Sequence, residues 1–411
     1  MNSEAAAAMS LLSAEAVRTR AQRMLALALE ERLTEFRVDL SHLDATAERV
    51  IAITRNAYPA LDIPFHSRWR HFVVDGVDRF AEIAKAAAWK DEASRARAAF
   101  DLAIVSVFLD AGAGAQWNYT DKVTGKRIGR SEGLALASLD MFARGAFSAT
   151  TGDPLRVDAI ALSRLSAAHL ADGFQVGVHN PLVGLEGRAA LLRALGALVA
   201  GNLAVFAHKD SPRPGGLFDH LASLAKDRVI AAPSILSELL HLLGSIWPSR
   251  LSLGGVPLGD CWRHLAMTTS DATSGLVPLH KLSQWLAYSL IEPLQDAAFT
   301  VSNIDGLTGL PEYRNGGLFV DAGVLVLRNP QRATQQNDVG SPLVVEWRAL
   351  TVALLDRLAE IIRGQLHMNA VELPLAKILE GGTWAAGRAI ARELRPDGAP
   401  PILVASDGTV F

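Results

Sequence analysis

Apolar residues recur at every third or fourth position over most of this chain, and that period constrains its fold more than any other feature. Ala- and Leu-rich stretches of this kind cover 14–34, 44–57, 76–110, 131–145, 186–200, 217–225, 233–247, 278–297, 347–367 and 374–395. Such a chain buries helix stripes against helix stripes. Ser131 is the expected N-cap of "EGLALASLDMFARG". Asn180 and Pro181 are the expected opening of "PLVGLEGRAALLRALGALV". Strand signals are few. "GLFVDAGVLVLRN" (317–329) reads as a bent strand or hairpin around Gly323, and "FQVGV" (174–178) as a weaker strand. "PPILVASDGTVF" ends the sequence with two strand-like pieces around an Asp-Gly turn. There is no internal repeat and no long linker. The expectation is a mainly α fold: one compact multi-helix domain over 1–411, with a small β element near 317–329 and at the C-terminus. A subdivision near 245–260 is the alternative.

Composition removes several functions. Half of the 411 residues are apolar and 20% are charged, which describes a packed globular chain. A net charge of −3 offers no basic face for nucleic acid. The lone Cys261 permits no intrachain disulfide and fits a reducing, cytoplasmic setting; in "GDCWRH" it reads as a small buried thiol. No leader or membrane segment is expected. The first 33 residues read as an amphipathic helix, and "LLRALGALVAGNLAVFAH" is interrupted by Arg193 and Asn202. His169 and His179, with Asp172 between them, do not have metal-site spacing, so no metal or other cofactor is expected.

"FLDAGAGAQWNYTDKVTG" (108–125) has half of a dinucleotide fingerprint, but Trp117 stands where the third glycine belongs. A helix precedes the loop and a polar, turn-rich stretch follows it, so no helix N-terminus is offered to a phosphate. The better reading is a helix ending at Asp110, with Gly112 and Gly114 letting the chain turn. Trp117 and Tyr119 then stand over a cleft, or simply close the core.

Other stretches hold more polar groups than packing requires. "FHSRWRHF" (65–72) could bind an anion or form a surface ion-pair cluster. "SPRPGGLFDHL" (211–221) could be an anion loop or a capped turn. In "HKLSQWLAYSLIE", His280, Gln284 and Tyr288 share a helical face that lines a pocket or a wet edge. "DGLTGLPEYRNGGLFVDAG" (305–323) is the densest, and its Asp321, if it points inward from a strand, needs a partner or a role.

Together "PFHSRWRHF", "LDAGAGAQWNY", "RSEGLALASLDMF", "HNPLVGLEGRAALL", "RPGGLFDHL", "LHKLSQWLAYSLIEPL", "LTGLPEYRNGGLFVDAGVL" and "EGGTWAAGR…SDGTVF" carry a resemblance. They resemble a fungal and bacterial uracil-catabolism family long labelled a domain of unknown function, over nearly the whole chain. The resemblance implies a place in pyrimidine degradation. There, a relative of GTP cyclohydrolase II opens the ring of a uracil nucleotide, and a ribosylurea-type product is broken down to urea and sugar. It carries over no catalytic residues.

The step implied is hydrolysis of an N-ribosidic bond, on ribosylurea or its 5′-phosphate. Such a step needs a carboxylate for the positively charged sugar and a second group to move a proton. Asp110, Asp321, Glu132 and Glu312 are the candidates for those roles. Trp117, Tyr119, His280, Gln284, Tyr313 and Asn315 would hold sugar and urea, and Arg68, Arg70, His71 and Arg314 a phosphate. The expected partner is thus a small nucleoside- or nucleotide-derived substrate, with neither nucleic acid nor membrane, and association with other uracil-catabolism enzymes is an expectation of the same kind. Two alternatives stay open: amidohydrolase-type C–N cleavage of a ring-opened ureido compound, and a non-catalytic partner of the ring-opening enzyme.

Overall fold

Helix prevails over most of the chain, as the periodicity predicts, and the strands are two- and three-residue pairs. The computed structural model describes residues 3–110, 112–114, 116–207, 211–247 and 251–405. The expected final strand piece, in "SDGTVF", lies outside them. Among the described residues no helix is long and apolar enough to cross a membrane.

The described chain divides into two compact units. The first takes the residues up to His66, Leu251 to Gln284, and Asn303 to Ala405. The second takes Ser67 to Trp247 and Trp285 to Ser302.

In the first unit the central element is Pro342–Leu366. Ser341 caps it by accepting the Val344 N–H, and Pro342 fills a first-turn position whose N–H would have no helical partner. It is apolar nearly all round, and Ala14–Leu29 and Leu43–Ala57 pack on it. Its buried Glu346 accepts the backbone N–H groups of Thr34, Glu35 and Phe36, and His264 Nε2, at 3.1–3.3 Å. That fixes the start of strand Phe36–Val38, which pairs antiparallel with Leu325–Leu327.

The stretch 317–329 differs from its strand reading. Tyr313–Asp321 is helix, Gly323 turns the chain at φ +79°, and only Leu325–Leu327 is strand. Asp321 therefore closes a helix. The reason is that Gly316 is a packing residue and not a loop residue. A Cβ there would lie 2.7 Å from Trp347 Nε1 and 2.9 Å from Thr351 Oγ1, so glycine lets this helix press on Pro342–Leu366.

Gly387 plays the same part where Trp384–Leu394 crosses Tyr313–Asp321. A Cβ on it would stand 2.1 Å from the Arg314 carbonyl oxygen, a backbone atom that cannot swing away. Gly387→Ala is expected to cost about 1–3 kcal/mol of stability. A thermal-unfolding midpoint equal to wild type would refute this close crossing.

In the second unit the core helix is Glu92–Phe108, with Arg130–Ala143, Leu185–Gly201 and Gly216–Leu224 against it. Three readings change here. The stretch 76–110 is two helices, because Asp91 caps a new one by accepting the Ser94 N–H at 2.7 Å. Gly129, not Ser131, is the N-cap of Arg130–Ala143. Helix Leu185–Gly201 starts after Gly184 at φ +71°, not at Pro181. Asn180 instead pairs its amide with both backbone groups of Asn118 at 2.9 Å, and "FQVGV" provides one isolated bridge, Gly177 to Asn180.

Candidate functional site

In the second unit the nominated residues gather around Asp110, directly after the end of the core helix. Arg68 Nη1 donates to Asp110 Oδ1 at 2.7 Å, and Ser131 Oγ donates to the same oxygen. Arg68 is fully buried. Its Nε donates to Ser106 Oγ at 2.6 Å, and Nη1 and Nη2 donate to the Ser131 and Ser106 carbonyls at 3.2 Å. Ser138 Oγ meets Ser106 Oγ at 2.6 Å behind it. The Trp285 ring lies 5.3 Å from the guanidinium carbon, within cation–π range, and 5.6 Å from the His71 ring. Burial pushes the Arg68 pKa down, and Asp110 and then Glu132, in the first turn of the next helix, oppose that. Arg70 donates to Glu292, which also accepts Ser67 Oγ at 2.6 Å.

The glycine loop presents carbonyls to a cation instead of N–H groups to an anion. Arg188 is fully buried and donates to the carbonyls of Leu109 and Gly112, each at 3.1 Å, and to that of Val183. Burial holds its pKa down at about 10 despite the nearby Asp110. Gly114, at φ +85°, leaves room for Val183.

Trp117 and Tyr119 do not stand over a cleft. Both are 1% exposed, so the core-closing reading is the correct one. Trp117 Nε1 donates to the Phe174 carbonyl at 2.9 Å, and Tyr119 donates to Asp140 at 2.8 Å. Trp117 also lies under Gly133, which keeps the turn bearing Ser131 and Glu132 close. "SPRPGG" does bind an anion, but an internal one. The buried Asp101 accepts Arg213 at 2.5 and 3.0 Å and the Gly215 N–H at 2.6 Å.

In the first unit Glu312 caps Tyr313–Asp321, accepting the N–H groups of Arg314 and Asn315, each at 2.6 Å. Burial nonetheless raises its pKa. The two N–H groups, Lys281 and His66 offset only part of that. His66 is itself 6% exposed and meets Glu380 Oε2 through Nδ1 at 2.8 Å, while Tyr58 OH reaches Glu380 at 3.5 Å. With Nδ1–H on the carboxylate, Nε2 carries the basic lone pair. Glu380 lies in a π-helical turn, Leu379–Thr383, a distortion found often at functional positions. Gly382 lets that turn sit on Leu43–Ala57, since a Cβ would be 2.4 Å from Thr54 Oγ1.

Other nominees of this unit are tied into the protein by an ion pair and hydrogen bonds. Asp321 pairs with Arg395 at 2.8 and 2.5 Å. The buried His280 meets the Leu11 carbonyl at 3.0 Å, and burial lowers its pKa. It precedes helix Lys281–Asp296 at φ +46°, so the expected stripe starts one residue outside the helix. Gln284 bonds with Thr308 through both amide atoms. Arg314 reaches the Gly398 carbonyl at 2.9 Å and lies 4.9 Å from the Tyr313 ring. Asn315 donates to the Leu310 carbonyl at 3.2 Å, and its buried Oδ1 has no partner among the described residues. Cys261 is buried, with its pKa raised to about 12 by burial and by Asp260. Among the described residues no three His, Cys, Asp or Glu side chains converge as a metal site.

Asp110, Glu132, Arg68 and His71 thus share one cluster, and Glu312 lies in another with His66 and Glu380. Those last two escaped selection, as did Ser106, Ser131 and Arg188. The only signals for the pair were a histidine in "FHSRWRHF" and an acid before paired glycines in "LEGGTW", and 313 residues separate them in "FHSRWRHF…LEGG" to no recognisable spacing.

Comparison with known proteins follows the same lines as the motifs. A family described as a protein of unknown function (DUF1688) matches residues 10–411. The chain is 42% identical to Protein urg3 of Schizosaccharomyces pombe, over 98% of each chain. It is 39% identical to Uracil catabolism protein 4 of Lachancea kluyveri, over 92% of each.

Proposed function

The chain belongs to the DUF1688 family, and from that premise we propose that it is a hydrolase of uracil degradation that cleaves the N-ribosidic bond of ribosylurea or its 5′-phosphate. The name of the Lachancea kluyveri relative supports the route, and the residues support the chemistry. One observation carries the reading: Glu312 is a carboxyl whose proton affinity burial raises, next to a histidine held by a second carboxylate. A general acid must hold its proton more tightly than an ordinary carboxyl, and burial shifts Glu312 in that direction. Water adds its oxygen to the anomeric carbon and the C–N bond breaks. The electron pair leaves on the urea nitrogen, which takes the Glu312 proton, while the proton lost by water passes to His66 Nε2. Glu380 orients His66 and stabilises its charged form. Asp110, matched by Arg68, serves to hold Arg68 and Ser131 in place.

Purified protein given ribosylurea or its 5′-phosphate is expected to release equal amounts of urea and reducing sugar, with or without chelator. Ammonia or carbon dioxide as product, or activity lost to chelator, would point to amidohydrolase chemistry, and no turnover to a binding partner. Glu312→Gln is expected to lower kcat by about a hundredfold. In the wild type kcat/KM should fall as pH rises through the raised Glu312 pKa, because the acid form is the active one. That limb should be missing from the variant's profile, and a retained limb would remove Glu312 from the role.

A further inference from the structure

All three arginines nominated for a phosphate, Arg68, Arg70 and Arg314, are bound to the chain's own carboxylates or carbonyls, which turns attention to arginines elsewhere. Arg164, in the second unit, has no carboxylate or carbonyl partner for its guanidinium among the described residues. It lines a cleft of about 450 Å³ within residues 141–173, a size that suits a small ligand. The cleft shares no lining residue with the Asp110 cluster.

Its chemistry is specific. Arg144 lines it too; its Nε donates to the Asp140 carbonyl at 3.2 Å, and only its longer reach to the Asp140 carboxylate is loose. It stands 3.4 Å from a carboxylate oxygen that also takes Tyr119 OH and Lys122 Nζ, each at 2.8 Å. His169 is fixed by a reciprocal cap with Ser166. Its N–H donates to Ser166 Oγ at 3.2 Å, and its Nδ1 accepts the Ser166 N–H at 3.4 Å, so Nε2 bears the ring proton. Asp172, also in the lining, is exposed, and its side chain has no hydrogen bond or ion pair among the described residues. Met141 and Leu165 add an apolar floor, which Gly173 keeps tight, since a Cβ on it would stand 2.3 Å from the Met141 sulfur.

We infer that this cleft binds a small organic phosphomonoester. Arg164, Arg144 and His169 Nε2–H are donors on three separate side chains lining one cleft, a set suited to the several oxygens of a tetrahedral dianion, where a carboxylate would need one planar fork. Asp172 would repel the phosphoryl group but accept a hydroxyl from the organic part, so it selects an ester over the free ion.

The test is calorimetric titration of the full chain with ribose 5-phosphate, inorganic phosphate and ribose, at low salt. Ribose 5-phosphate should bind, ribose should not, and inorganic phosphate should bind more weakly. Arg164→Gln should weaken ribose 5-phosphate binding roughly tenfold or more, the scale of one charge-assisted bond, with an unchanged unfolding midpoint. Asp172→Asn should narrow the preference for the ester by tightening inorganic phosphate. The proposal is overturned by no binding to wild type, by equal affinity for inorganic phosphate, or by affinity that neither substitution alters. Because the readout is binding, it stands or falls apart from the proposed hydrolysis.

Discussion

Arg68→Met is expected to destabilise the second unit by about 3–5 kcal/mol, the range for breaking a buried ion pair by removing one partner. The guanidinium is fully buried and is shared among Asp110, both polar atoms of Ser106, and the Ser131 carbonyl. Methionine fills much of the space but removes the guanidinium's bond to each of those acceptors, and Ser131 and Ser138 make up only part of the loss. Arg68→Lys should rescue little, since one ammonium cannot span the same fork. Urea denaturation provides the measurement. A loss under about 1 kcal/mol would mean that water replaces the guanidinium at no great cost. Asp110→Asn should cost less than Arg68→Met, and the double variant less than the sum of the two, because both act on one bond. An activity loss in Asp110→Asn therefore reports on the Arg68 platform as well as on any chemistry of Asp110.

Asp260→Asn is the counterpart in the first unit, and it adds a pH signature. Arg348 Nη1 and Nη2 meet the two carboxylate oxygens at 2.9 and 2.8 Å. Trp262 Nε1 and the Lys281 N–H add bonds at 2.7 and 2.9 Å. Burial pushes the Asp260 pKa up, but these partners outweigh it and hold the pKa at about 2, below the ordinary 3.8. The folded value lies below the unfolded one. The contribution is therefore present above pH 4 and is lost as pH falls from about 4 to about 2, amounting to about 2 kcal/mol. At neutral pH Asp260→Asn should cost about 3–5 kcal/mol, because Arg348 stays buried without its anion. Between pH 4 and 2 the gap between variant and wild type should narrow. Parallel acid-unfolding curves would show that Asp260 does not carry this dependence.

The helical class was legible because it rests on a local period, and Ala14–Leu29, Leu43–Ala57 and Pro342–Leu366 each follow it. What failed was punctuation. Gly316 and Gly317 are turn-formers by type, but sit inside a helix: Trp347 leaves no room for a side chain at Gly316, and Pro401 crowds Gly317. Ser131 is a cap by type, but its hydroxyl goes to an acid 21 residues back. The candidate site was half legible. The sequence pointed to Asp110, Arg68 and Glu312, because charge in apolar surroundings needs a reason. It could not say whether an arginine's anion is a ligand or the protein's own Asp101, Asp110 or Glu292. Nor could it join His66 to Glu380, which meet only through the fold.

The π-helical turn also acts as a phase adjuster. An α-helix advances about 100° per residue, so one residue more or less rotates everything beyond it by that angle. Upstream of the turn's end, Gly382 must face Thr54 and Glu380 must face His66; downstream, Gly387 must face the Arg314 carbonyl. The wider turn lets both faces be correct along one continuous run. A single-residue insertion within 379–383 would add about 100° of rotation that the turn does not absorb and swing Gly387 off its contact, so this short stretch should tolerate substitution far better than added length.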